Sequence, residues 1–186
     1  MSFIDLVLHT PRLRLRPLAA ADAPAFFALR ADPVVQRYGS GTPWTDPQRA
    51  LDRIEEDRRE MAAGDIAQLG IVRRADDAVI GTCTLFHRDR DCRRAELGYA
   101  LLVPAWGQGY AAEAVTALLD WGFAHMDLNR VEADVDPRNA PSVRALERLG
   151  FTREGHLRER WIVGDETCDS FIYGLLAREW TVHRAR

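Results

Sequence analysis

The stretch YALLVPAWGQGYAAEAV, residues 99–115, sets the tightest limit on what this chain can fold into. An apolar run ends at Pro104, glycines follow at Gly107 and Gly109, and an Ala-rich segment of helical composition begins. Glycine tolerates positive φ, so a glycine-rich strand-to-helix junction brings backbone N–H groups close to a phosphate at the positive end of a helix dipole. The loop points to a pyrophosphate ligand without naming it, because Gly107, Gly109 and Ala112 also satisfy the loose dinucleotide pattern G-x-G-x-x-A.

The elements around the loop argue against a nicotinamide dinucleotide. Upstream, RLRLRPL (12–18) alternates in strand period with its arginines on a solvated face, and AADAPAFFALRAD follows as a helix with Asp22 as cap and Pro24 in its first turn. TDPQRALDRIEEDRREMAAGD predicts a second helix with Leu51, Ile54, Arg58 and Met61 on one face, Thr45 or Asp46 as cap and Gly64 beyond its end. IAQLGIVRR, AVIGTCTLFHR and RAELGYALLVP then read as an antiparallel meander. After the loop come a helix over 108–125, the strand NRVEADVD, a helix NAPSVRALERLG capped by Asn139, and a closing hairpin around VGD. The order is β-α-α-β-β-β-α-β-α-β-β. It holds one βαβ unit where a dinucleotide fold needs repeated units, and Glu132 or Asp134 comes late for a ribose contact.

The 186 residues suit one well-packed domain, 1–186, with no repeat or linker to divide it. With 25 basic and 28 acidic residues the formal charge is −3, so no nucleic-acid surface or polybasic membrane patch is expected. The N-terminal MSFIDLVLHTPRLRLRPL lacks a basic segment followed by an apolar core, and no run approaches the ~18 apolar residues of a membrane span. The expected location is the cytoplasm. Cys83, Cys92 and Cys168 are scattered, as reduced thiols are, and His87, His125 and His156 lack metal-ligand spacing, so no metal is expected.

ELGYALLVPAWGQGYAAEAV followed by VDPRNAPSVRALERLGF resembles the GNAT superfamily of acyl-CoA N-acyltransferases, and within it the RimJ/RimL type. The likeness runs from TPRLRLRPL to FIYGLL. It implies an α/β (α+β) fold: a mixed, mostly antiparallel central sheet of six to seven strands with a bulged fourth strand, flanked by about four helices. It also implies acetyl-CoA as co-substrate and a primary amine as acceptor, either a protein N-terminal α-amine or a small-molecule amine. A non-catalytic acyl-CoA-binding module is the alternative from a different class. A homodimer is open to the chain through an edge strand or the closing hairpin.

The superfamily's phosphate loop, [QR]-x-x-G-x-[GA], is matched by Trp106-Gly107-Gln108-Gly109-Tyr110-Ala111, with Trp106 at the place where Gln or Arg is commonest. The resemblance assigns the pyrophosphate to backbone N–H groups of Gly107, Gln108, Gly109, Tyr110 and Ala111. It assigns the pantetheine arm to the backbone of Leu101, Leu102 and Val103 in a bulged strand, with Asn139 touching the arm. Acetyl transfer to an amine needs a neutral nucleophile, a stabilised oxyanion and a proton for the departing thiolate. The resemblance makes Glu96 the leading base, against a merely structural pairing with Arg93 or Arg94, and Glu159 the second candidate, although ungapped matching puts Trp161 in its place. The N-x-x-S pattern of Asn139 and Ser142 resembles that of the RimL-like enzymes and makes Ser142 the candidate donor to the thiolate. Glu113 is expected to be structural, and Trp44 either lines the acceptor cleft or packs in the core.

Overall fold

The computed structural model describes residues 2–39 and 41–185. Its strands are β1 (Leu8–His9), β2 (Leu13–Arg16), β3 (Ala67–Arg73), β4 (Ala78–Asp89), β5 (Arg94–Leu101), β6 (Arg130–Val135), β7 (Thr152–Val163) and β8 (Glu166–Leu176). Its α-helices are α1 (Ala23–Ala31), α2 (Pro33–Gln36), α3 (Gln48–Ala63), α4 (Tyr110–His125), α5 (Ala140–Arg148) and α6 (Ala177–Arg184). The strands make one sheet in the order β1-β2-β3-β4-β5-β6-β8-β7, antiparallel throughout except for the parallel pair β5–β6.

Alternation along β5 divides the core in two. Leu97 and Leu101 join the larger cluster, which also holds Leu118 of α4, Leu146 of α5 and Trp180 of α6. Ala100 packs on the opposite face against a smaller cluster of Phe26 and Leu29 from α1, Ala50 and Ile54 from α3, and Trp44. The sheet is therefore covered by different helices on its two sides.

One detail of the sheet positions the site. β5 pairs with β6 only from Arg94–Arg130 to Glu96–Glu132, after which the two strands part, although β5 runs on to Leu101 and β6 to Val135. The expected bulge in β5 is absent: its register against β4 is regular from Leu101–Gly81 to Glu96–Phe86. The extra residue lies in β4 instead, between Phe86 and Asp89, where His87 takes φ +48°. The parting of β5 from β6 thus occurs without an inserted residue in β5.

Other differences are local. The sheet has eight strands rather than six or seven, because β1 adds at the edge, and α2 and α6 join the four helices of the sequence pattern. Arg14 and Arg16 are ion-paired rather than merely solvated, with Asp77 at 2.6 Å and Asp22 at 2.6 Å. Asp22 therefore does not cap α1 with its side chain; it accepts from Arg16 and from the Ala19 N–H. The buried face of α3 carries Ala50, Ile54, Asp57 and Met61, with Leu51 packed beside it, so of the predicted stripe only Arg58 is exposed. Asp46 receives the Gln48 N–H at 2.9 Å, and the VGD turn joins β7 to β8 through Gly164 at φ +60°.

Candidate active site

The loop between β5 and α4 is shaped by Trp106 and its two glycines. A 3-10 turn over Val103–Ala105 follows the strand, and the Trp106 indole N–H returns to the Leu101 carbonyl at 2.7 Å. Gly107 and Gly109 then take φ +72° and +79°, conformations that side-chain-bearing residues rarely adopt. A Cβ on Gly107 would meet nothing within 4 Å, so the turn opens outward. Among the described residues no acceptor takes the N–H groups of Gln108, Gly109, Tyr110 or Ala111. These unpaired donors lie at the N-terminus of a 16-residue helix, an arrangement that attracts phosphate.

Arg12 and Glu113 brace this loop from behind. Glu113, in the first turn of α4, accepts from Thr10 Oγ1 at 2.6 Å, the Arg12 N–H at 2.9 Å and Arg12 Nε at 2.6 Å. Arg12 Nη1 reaches the Gln108 carbonyl at 2.9 Å, and its guanidinium stacks 4.5 Å over Tyr110. Burial alone would raise the Glu113 carboxyl; the bonds from Thr10 and Arg12 outweigh it and hold the group below its ordinary value. Glu113 is thus fully engaged in tying α4 to the β1–β2 turn.

Beyond Glu96 the edge of β5 facing β6 has no partner strand. Leu101 is the last residue of this edge. Leu102 lies outside it, with its N–H given to Ile80, and Val103 belongs to the 3-10 turn with its carbonyl taken by the Trp106 N–H. The free edge, Leu97–Leu101, meets the expected pantetheine contacts Leu101, Leu102 and Val103 only at Leu101, and it offers the backbone groups an added strand would use.

Two sets of polar groups flank the parting strands, one on each face. On the larger-core side, the Tyr99 hydroxyl meets Ser142 Oγ at 2.8 Å, joining β5 to the first turn of α5. Asn139 caps that helix by accepting the Ser142 N–H at 3.3 Å. Burial pushes the Tyr99 phenol up, and the bond to Ser142 offsets part of the rise. Tyr99 was not among the residues singled out from the sequence. On the opposite side, Glu96 lies where the β5–β6 pairing ends, in phase with Ala100. Its partner is His87, with Nδ1 at 3.2 Å from Oε1, delivered by the bulge in β4. The structural pairings with arginine are not made: Arg93 holds Asp127 at 2.6 Å, and Arg94 holds Glu132 at 3.0 Å.

The remaining candidates lie elsewhere. Glu159 is exposed in a bulge of the edge strand β7, at φ +54°, with its N–H on Asp169. β6 and β8 stand between it and β5, a separation of roughly 14 Å at ordinary strand spacing. Trp161 donates Nε1–H to Asp134 at 3.2 Å, on the Glu96 side of β6. Trp44 is buried at 7% exposure, edge-on to Phe26 at 5.4 Å and flanked by Arg30 and Arg49, so it packs in the smaller core. The segment between α2 and α3 bridges this side of the sheet. Tyr38 lies under Arg138, whose guanidinium is 5.9 Å from its ring, and Thr42 lies 3.9 Å from where a Gly164 Cβ would be.

Comparison with known proteins agrees with this architecture. The acetyltransferase (GNAT) domain model matches residues 12–152. The uncharacterized N-acetyltransferase p20 of Bacillus licheniformis is 39% identical over 173 residues, spanning 93% of this chain and 97% of that protein. The spermidine N(1)-acetyltransferase of Vibrio cholerae is 24% identical over 152 residues, 82% of this chain and 86% of its own. The structure of Mycobacterium smegmatis RimJ in complex with CoA-disulfide superimposes with TM-score 0.83 at 26% identity, covering 94% of this chain and 87% of that one. With a glycine loop of free N–H groups beside two parting parallel strands, and a family model spanning most of its length, the chain belongs to the GNAT acetyltransferase family, among its RimJ/RimL-like members.

Proposed function

We propose that the protein transfers the acetyl group of acetyl-CoA directly to a primary amine within a ternary complex, the amine being a protein N-terminal α-amine or that of a small molecule. The observation that carries the reading is the opening between β5 and β6, with Glu96 on one face and the Tyr99–Ser142 pair on the other. The pyrophosphate would bind the N–H groups from Gly107 to Ala111, and the pantetheine arm would add to the free edge ending at Leu101, with Asn139 at its side.

In this reading the acceptor enters on the Glu96 side. Glu96 takes a proton from the ammonium, directly or through water, and His87 passes it to solvent, being 72% exposed while touching the carboxylate. The freed amine attacks the thioester carbonyl, its nitrogen gives a second proton to Glu96, which His87 has relieved of the first, and the tetrahedral intermediate collapses as the carbon–sulfur bond breaks. Tyr99 donates to Ser142 Oγ and so turns the serine hydrogen toward the sulfur; Ser142, helped by the N-terminus of α5, gives the departing sulfur its proton as it takes one from Tyr99, which regains its own from water.

The test is release of free thiol from acetyl-CoA on adding amines from three classes: N-terminal peptides of ribosomal proteins, polyamines and aminoglycosides. Release with one class identifies the acceptor. Binding of acetyl-CoA with no release in any class would leave the non-catalytic acyl-CoA-binding module.

A further inference from the structure

Beside the glycine loop, on the side of β2 and β3, lies a cavity of about 480 Å³ lined by Pro11, Arg12, Arg73, Arg74, Ala75 and Tyr110. Its three arginines come from two separate segments, the β1–β2 turn and the end of β3 with the turn beyond. Two have acidic partners: Arg12 pairs with Glu113 and Arg73 with Asp76, each at 2.6 Å. Arg74 has none among the described residues. Its Nη1 donates to the carbonyls of Thr10 at 3.0 Å and Pro11 at 3.4 Å, which fix the direction of the guanidinium and leave its charge uncompensated. Three cations thus face two anions around one opening.

The cavity is joined to the loop by shared residues. Tyr110 is the first residue of α4 and also lines the cavity, while Arg12 holds the Gln108 carbonyl and lies 3.4 Å from where a Gly109 Cβ would be. A phosphate monoester carries a charge of about −1.5 to −2 at pH 7, and the planar guanidinium fork matches its oxygens. The loop N–H groups suit a pyrophosphate, whose charge is spread over two phosphates. A ligand that satisfies both sites carries a monoester beside its pyrophosphate, as coenzyme A does in its ribose 3′-phosphate.

We propose that the Arg12–Arg73–Arg74 cavity binds the ribose 3′-phosphate of coenzyme A, with Arg74 as the residue that distinguishes CoA from its dephosphorylated form. The proposal rests on the acetyl-CoA reading above and adds the recognition of one phosphate. The test is calorimetric titration of the wild type, Arg74→Ala and Arg74→Lys with CoA and with 3′-dephospho-CoA, with thermal melting as the folding control. The wild type is expected to prefer CoA by about tenfold or more, as charge-assisted bonds to a phosphate allow. Arg74→Ala should lower CoA affinity while leaving dephospho-CoA unchanged, bringing the ratio toward one, and Arg74→Lys should fall between. Equal wild-type affinity for the two ligands, or an equal loss of both in Arg74→Ala, overturns the proposal and leaves the acetyl-CoA reading intact. Failure of both ligands to bind the folded wild type overturns that reading as well. Inorganic phosphate binding that depends on Arg74 and persists at saturating CoA would assign the cavity to a separate phosphate, against the proposal.

Discussion

Glu96 as a base implies a pH dependence set by its substrate. An α-amine of pKa about 8 is roughly a tenth neutral at pH 7, whereas a lysine amine of pKa about 10.4 is neutral less than one part in a thousand. Glu96→Gln should therefore slow transfer to an α-amine most below pH 8 and matter little at pH 9, where the acceptor is already neutral. A pH–rate profile from 6 to 9.5 checks it, and a uniform loss removes Glu96 from the base role. Ser142→Ala should lower turnover about 10- to 100-fold and leave acetyl-CoA affinity within a few-fold. Tyr99→Phe, which deletes one hydroxyl from a 2.8 Å pair, should cost less, about 3- to 10-fold, and almost nothing further once Ser142 is alanine. Independent, multiplying losses in the double variant would show that Tyr99 does not act through Ser142. These residues differ in how visible they were beforehand. Asn139 and Ser142 stand three residues apart in a capping pattern that a local reading finds. Tyr99 meets its partner 43 residues away across a strand and a helix, and His87 owes its direction to a bulge, so neither contact is written in nearby sequence.

Among the elements, α4 shows how an anchor can resemble a catalytic group. Glu113 is a lone carboxylate beside the ligand loop, yet all three of its bonds go to Thr10 and Arg12. Glu113→Gln should reduce stability at pH 7 by about 1–3 kcal/mol, the usual result of weakening a charge-assisted network, while leaving turnover of the folded protein within a few-fold. The sign with pH follows from the depressed carboxyl: its contribution is complete above the unfolded value of 4.5 and is lost as pH falls through the lower folded value. Urea unfolding at pH 7 and pH 3 should therefore show the gap between wild type and variant narrowing in acid. A gap that widens would contradict the anchor. The long, strongly patterned elements were legible because period and caps are local. β1, α2 and α6 were not. β1 pairs only through Leu8–Leu15 and His9–Arg14, and α6 continues from β8 without Gly or Pro to mark the change. On α3 the period found Leu51, Ile54 and Met61 but set Arg58 on the inner face, where Asp57, a charged residue, is buried instead beside Arg53 at 2.7 Å.

At the scale of the whole molecule, α6 completes the larger core. Trp180 is 4% exposed, and its indole N–H reaches Asp120 on α4 at 2.9 Å. Trp180→Ala should destabilise the fold by about 3–5 kcal/mol, as large aromatic-to-alanine changes in a core do, with the midpoint of urea unfolding as the measure. A change below 1 kcal/mol would make α6 a dispensable appendage. The parting of β5 and β6 has a further consequence. In the proposed reaction the sheet is a wall with one window, and each reactant has its own door on its own side. Spent coenzyme A leaves by the door the next acetyl-CoA must use and does not obstruct the amine's. Product inhibition by CoA should accordingly be competitive with acetyl-CoA and noncompetitive with the acceptor. The same partition lets one side be refitted for a new guest while the other keeps its lock unchanged.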